Sequence, residues 1–138
     1  MTTYFIDKDR IRPELVTEEA EKAAQSFYEF NQRTNRIDDK KSLNNAQLRR
    51  FYGEFKRLEA ELGYQDDAEE ARFAGILPRI KMAAAKVTYA EARGVVPKSF
   101  VTWMKNHILQ INSIKEFKAF LLHFEAVVGY CYGIHKKD

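Results

Sequence analysis

The last quarter of the chain constrains the fold most. Between Ser113 and Ile134 apolar residues recur at helical spacing: Phe117, Phe120, Leu121, Phe124, Val127, Val128 and Cys131 form one stripe, and Leu122, Ala126 and Tyr130 widen it. At about 100° per residue these positions take up much of a helix circumference, and a helix that is apolar over so much of its surface needs neighbours on several sides. Ser113 followed by Glu116 is a capping box that opens it. The chain is therefore expected to build a bundle around this helix.

The rest of the chain supplies the neighbours. Thr17 with Glu18 and Glu19 reads as a helix start, and Ala20, Ala23, Ala24, Phe27 and Phe30 carry the stripe towards an end near Asn31 to Asn35. A polar loop follows to Leu43. Asn44 with Gln47 opens a second helix, packed through Leu48, Phe51, Tyr52, Phe55, Leu58 and Leu62 and stopped by Gly63. A third pattern, capped by Asp66 or Asp67, runs through Phe73, Ile76, Leu77, Ile80, Ala84 and Val87 to Gly94. Pro78 lies inside it and removes one backbone hydrogen bond. After Pro97, a fourth helix carries Phe100, Trp103, Met104, His107, Ile108 and Ile111 on one side, with His107 read as a core histidine.

No stretch alternates β-branched residues between turn signals, so no strand is expected. The expectation is an all-α, compact five-helix bundle, with the third helix kinked at Pro78 or split into two there. A length of 138 residues suits one helical domain, 1–138, with 1–16 as an extended arm and 135–138 as a frayed tail. Cys131 is alone, which forbids an internal disulfide. The longest apolar run, Ala126 to Ile134, is too short to span a bilayer, and no apolar leader is present. A cytoplasmic protein with no membrane partner is the expectation.

Charge is distributed unevenly. Residues 1–70 hold 12 cations and 16 acids, whereas 71–138 hold 11 cations and four acids. Within the third pattern Arg72, Arg79, Lys86 and Arg93 recur every seven residues, about two helical turns, so they project from nearly one side along about 31 Å. A solvated face also collects cations, but it mixes both signs. From Ala71 to Lys115 there are eight Lys and Arg against one acid, Glu91. The second helix repeats the theme: Arg49, Arg50, Lys56 and Arg57 bracket Gly53 opposite the apolar stripe, where a missing side chain would let an anionic backbone approach.

Catalytic chemistry finds little support. His107, His123 and His135 have no metal-ligand spacing, one thiol cannot build a cysteine site, and there is no phosphate loop, nucleophile elbow or paired carboxylate. No enzyme, cofactor or metal is expected. The basic rows leave two readings open: a sequence-independent clamp on an RNA backbone, or a helical module for an acidic protein partner.

Three local patterns bear on that choice. Leu48-Arg49-Arg50-Phe51-Tyr52, Lys86-Val87-Thr88-Tyr89-Ala90-Glu91-Ala92-Arg93, and Phe120 to Tyr130 with Phe124-Glu125-Ala126 resemble, in this order, segments of the small subunit of type III-A CRISPR effector complexes. The resemblance covers about residues 43–132 and finds no motif in 1–42. It implies a non-catalytic RNA-binding subunit in antiviral defence, present in several copies beside other effector-complex subunits and holding guide RNA and target RNA. By motif position it points to Arg49, Arg50, Lys86, Tyr89 and Arg93; helical geometry alone adds Lys56, Arg57, Arg72 and Arg79. Tyr89 either stacks on RNA or packs in the core.

Overall fold

The computed structural model describes residues 4–137. Its elements are a 3-10 turn, Pro13–Val16, and the helices α1 (Glu18–Ser26), α2 (Asn45–Leu62), α3 (Glu69–Lys81), α4 (Ala83–Ala92), α5 (Lys98–Gln110) and α6 (Ile114–Lys137). The described residues contain no strand, only isolated bridges between Phe5 and Ile11 and between Phe30 and Ile37. The all-helical bundle expected from the pattern is therefore the fold.

The middle of the bundle is aromatic. On α6 Phe117, Phe120, Phe124, Val127 and Cys131 are fully buried. The Phe124 ring lies 5.2 Å from Tyr52, 6.1 Å from Phe55 and 5.0 Å from Trp103, so it touches α2 and α5 at once, mostly edge to face. Helix α1 covers another side of α6, and α4 packs on α5.

Of the expected caps, those at Asn44 and Ser113 form, whereas Thr17 turns its hydroxyl to the Pro13 carbonyl and Asp66 bonds the Ala68 amide ahead of α3, so neither caps its helix by side chain. The Gln47 amide donates to Asn44 Oδ1 at 2.8 Å, and the Glu116 amide to Ser113 Oγ at 3.2 Å, while Ser113 Oγ donates to Glu116 Oε1 at 3.1 Å. Gly63 and Gly94 end α2 and α4 with φ of 66° and 73°, a region that favours glycine.

The kink expected in the third helix is present, and three other details depart from the sequence pattern. The third helix is interrupted at Met82, one turn beyond Pro78, and the break is only a bend, since Met82 keeps helical φ −62° and ψ −20°. Pro78 itself is tolerated because it and Ala74, whose carbonyl loses its donor, are exposed to water. Helix α1 stops at Ser26 rather than near Asn31. Beyond Ser26 the backbone bonds to the following loop instead: the Leu43 amide donates to the Phe27 carbonyl, the Glu29 amide to Ser42 Oγ and the Asp38 amide to the Glu29 carbonyl, so these groups are taken before the helix can continue.

Residues 4–16 do not form an extended arm, and residues 1–3 of that expected arm lie outside the described residues. The Ile6 amide donates to the Arg10 carbonyl, the Arg12 amide to Tyr4, and Tyr4 is buried against His107. At the other end α6 continues through Lys137, so no frayed tail begins at His135, whose Nε2 lies 3.3 Å from the Leu43 carbonyl; Asp138 lies outside the described residues.

Below Tyr4 is a polar cluster inside the core. Tyr4 Oη lies 2.7 Å from His107 Nδ1, and the His107 and His123 rings are 4.7 Å apart. His123 Nδ1 lies 2.6 Å from the Leu15 carbonyl, which can only accept, so Nδ1 carries the proton and Nε2 receives the Trp103 indole N–H at 3.2 Å. Burial, reinforced by His123, pushes the His107 pKa down to about 3. This core histidine is therefore neutral, and it pins the amino-terminal segment.

Candidate nucleic-acid interface

The turn at Gly63 is short, so α3 and α4 run back along α2, and the two cationic rows face each other across a groove. Its first hollow, 340 Å³, is lined by Arg57, Glu54, Glu61, Arg79, Met82 and Lys86 among others. The second, 250 Å³, is lined by Arg50, Glu54, Lys86, Tyr89 and Arg93 over a floor that includes Phe51, Ala90 and Val95. Glu54 and Lys86 belong to both, so one channel is divided by their contact.

Antiparallel helices bring seven-residue intervals into register. Arg79 forms a two-pronged bond with Glu61, 2.8 Å on each nitrogen, and seven residues on, Lys86 Nζ meets Glu54 Oε2 at 3.0 Å. Arg79 holds the Glu61 carboxyl below the usual range, mainly through that hydrogen bond. A third rung would pair Arg93 with position 47, which is Gln47 and carries no charge. Arg93 instead lies with its guanidinium 5.6 Å from the Tyr89 ring centroid. Among the described residues Arg50, Arg57 and Arg93 form no ion pair.

Of the nine residues singled out in the sequence, six line the groove: Arg50, Arg57, Arg79, Lys86, Tyr89 and Arg93. Tyr89 is 64% exposed and does not pack in the core. The other three lie elsewhere. Arg49 is exposed but outside the groove lining. Lys56 is bonded to Glu59 on its own helix at 2.7 Å.

Arg72 serves the fold, donating to the Leu62 and Tyr64 carbonyls and to Asp66, at 2.5, 2.7 and 3.0 Å. The last carbonyls of α2 lack intrahelical donors and sit at the negative end of its dipole, which attracts a guanidinium. Its side chain also lies 3.7 Å from where a Cβ on Gly63 would be, so it stacks over the turn. The gap expected at Gly53 is partly filled as well, because Arg57 Nη1 lies 3.6 Å from the position of an added Cβ.

Glu54 and Glu61 lie near the second cationic row in the sequence, and the structure adds that they pair across the groove with Lys86 and Arg79. They are seven apart, as are Arg79 and Lys86, and that matching interval was visible in the sequence.

No group of three or more His, Cys, Asp or Glu side chains among the described residues could hold a metal ion, and no helix among them is long and apolar enough to cross a membrane. Fold and groove thus define a small all-helical protein that presents a cation-lined channel between two antiparallel helical arms. Residues 12–137 match the family model described as Csm2 Type III-A, and the chain belongs to that family, the small subunits of type III-A CRISPR effector complexes. The match reaches back through α1 to residue 12, well beyond the motifs legible from Leu43 onward. No curated protein and no solved structure matches the chain.

Proposed function

We propose that this subunit is a non-catalytic clamp that holds the backbone of guide and target RNA in the groove between α2 and α3–α4, within an assembly containing other effector subunits and copies of itself. The observation that carries the reading is the convergence of three unpaired arginines, Arg50, Arg57 and Arg93, from two helices onto one channel. Guanidinium groups suit phosphate oxygens, and contacts of this kind supply affinity without reading bases. Sequence choice then belongs to guide–target pairing.

The direct test replaces Arg50, Arg57 and Arg93 together by Gln and measures binding of labelled RNA by fluorescence anisotropy. Because these side chains form no ion pair, the melting temperature is expected to change little while RNA binding is lost. Unchanged RNA binding in a folded variant overturns the reading. Reversing Arg79 or Lys86 to Glu would be a poorer choice, since each would then face Glu61 or Glu54.

An acidic protein partner is the competing reading, because Glu54 and Glu61 already demonstrate that groove cations accept carboxylates. Binding of an acidic peptide, with no RNA binding at low salt, would favour it.

A further inference from the structure

The groove is not uniform along its length. Two rungs are closed by Arg79–Glu61 and Lys86–Glu54, but the third carries no acid and instead exposes an aromatic ring. Phosphate binding gives no reason for that ring. Tyr89 is 64% exposed on α4 and presents its ring at the groove. Arg93 stands over it and Arg50 lines the same 250 Å³ hollow, whose apolar floor includes Val95 and Ala90.

A planar π-face, an apolar floor and two guanidinium groups are the elements that hold an unpaired nucleotide: the ring and the Arg93 plane take the base, and the cations take the adjoining phosphates. A base inside a duplex has both faces already stacked and cannot use the ring. The closed rungs offer nothing comparable, since the exposed apolar side chains lining them, Met82 and Pro78, are not aromatic.

Resting on the clamp reading above, we infer that the open rung, Arg50–Tyr89–Arg93, is a subsite for an unpaired RNA base, so that the groove distinguishes single-stranded or looped-out nucleotides from continuous duplex. The subsite lies at the end of the groove where α4 finishes, with Tyr89 about one helical turn and Arg93 about two beyond Lys86, so it adds to the backbone contacts and does not replace them.

The test uses the full chain and compares wild type, Tyr89→Ala, Tyr89→Leu and Tyr89→Phe on three labelled RNAs of one length: a single strand, an abasic strand and a blunt duplex. Stacking on one ring is expected to strengthen single-strand binding about tenfold, so Tyr89→Ala and Tyr89→Leu lose about that factor while Tyr89→Phe retains it. Binding of the abasic strand and of the duplex should be the same in all four proteins, and the salt dependence should not change, because no phosphate contact is removed. Equal loss on all three RNAs, or no loss on the single strand, overturns the subsite and leaves the backbone clamp standing. Failure of the wild type to bind any of the three at low salt overturns the clamp and the subsite with it.

Discussion

Replacing Glu54 and Glu61 together by Gln tests how the groove is tuned. Five cations line it, Arg50, Arg57, Arg79, Lys86 and Arg93, and two of these, Arg79 and Lys86, already face carboxylates. Three remain for phosphates unless the ion pairs open. On a single strand the slope of log K against log salt is about −0.7 per phosphate neutralised, which gives about −2 for three contacts and about −3.5 for five. Between 50 and 200 mM salt the wild type should therefore lose about 20-fold in affinity and the double variant about 130-fold, with the variant binding more tightly at the low-salt end.

Both carboxylates are solvent-accessible, so their removal should leave the fold intact, as circular dichroism and a thermal melt would show. Anisotropy titrations at four or five salt concentrations read the slope directly. Equal slopes for wild type and variant, with both proteins binding, would refute the reasoning: the groove cations would then exchange carboxylate for phosphate freely, and the acids would set no limit on binding. If the slopes differ as expected, the two acids keep a single copy weak, and stable holding of RNA depends on several copies acting along one strand.

Two further outcomes separate structural from ligand-facing charge. Arg72→Ala removes charge-assisted bonds to Leu62, Tyr64 and Asp66 and should cost about 1–3 kcal/mol in a denaturant titration without weakening RNA binding; a stability change below about 0.5 kcal/mol together with lost binding would return Arg72 to the basic row. Acid should destabilise the protein through His107, whose folded pKa of about 3 lies below its unfolded value, so that the unfolded chain binds the extra proton. Stability then falls as pH drops from about 6.5 towards 3, by about 2 kcal/mol at pH 5 from this group, and His107→Gln should flatten that part of the profile. A melting temperature independent of pH from 7.5 to 4.5 in the wild type would count against a neutral, buried His107.

The helices were legible in the sequence because what defines them is local. A period of 3.6 places Phe117, Phe120, Phe124 and Val127 on one side whatever the helix meets, and Asn44 or Ser113 caps the residues next to it. The seven-residue cationic row was legible for the same reason. Where α1 stops was less so, since it turns on the backbone of Phe27 and Glu29 bonding to Asp38, Ser42 and Leu43, further along the chain.

Tertiary structure decided which charges are free. Sequence alone placed Arg72, Arg79, Lys86 and Arg93 along one helical side, with Glu91 the single acid between Ala71 and Lys115. Only the antiparallel return of α3–α4 along α2 set Glu61 against Arg79 and Glu54 against Lys86, turned Arg72 onto the end of α2, and left Arg50, Arg57, Tyr89 and Arg93 open. The physical reason is range. Helical periodicity comes from bonds four residues apart, whereas a charge is neutralised by whatever lies within a few ångströms, and for Lys86 that partner is 32 residues away in the chain.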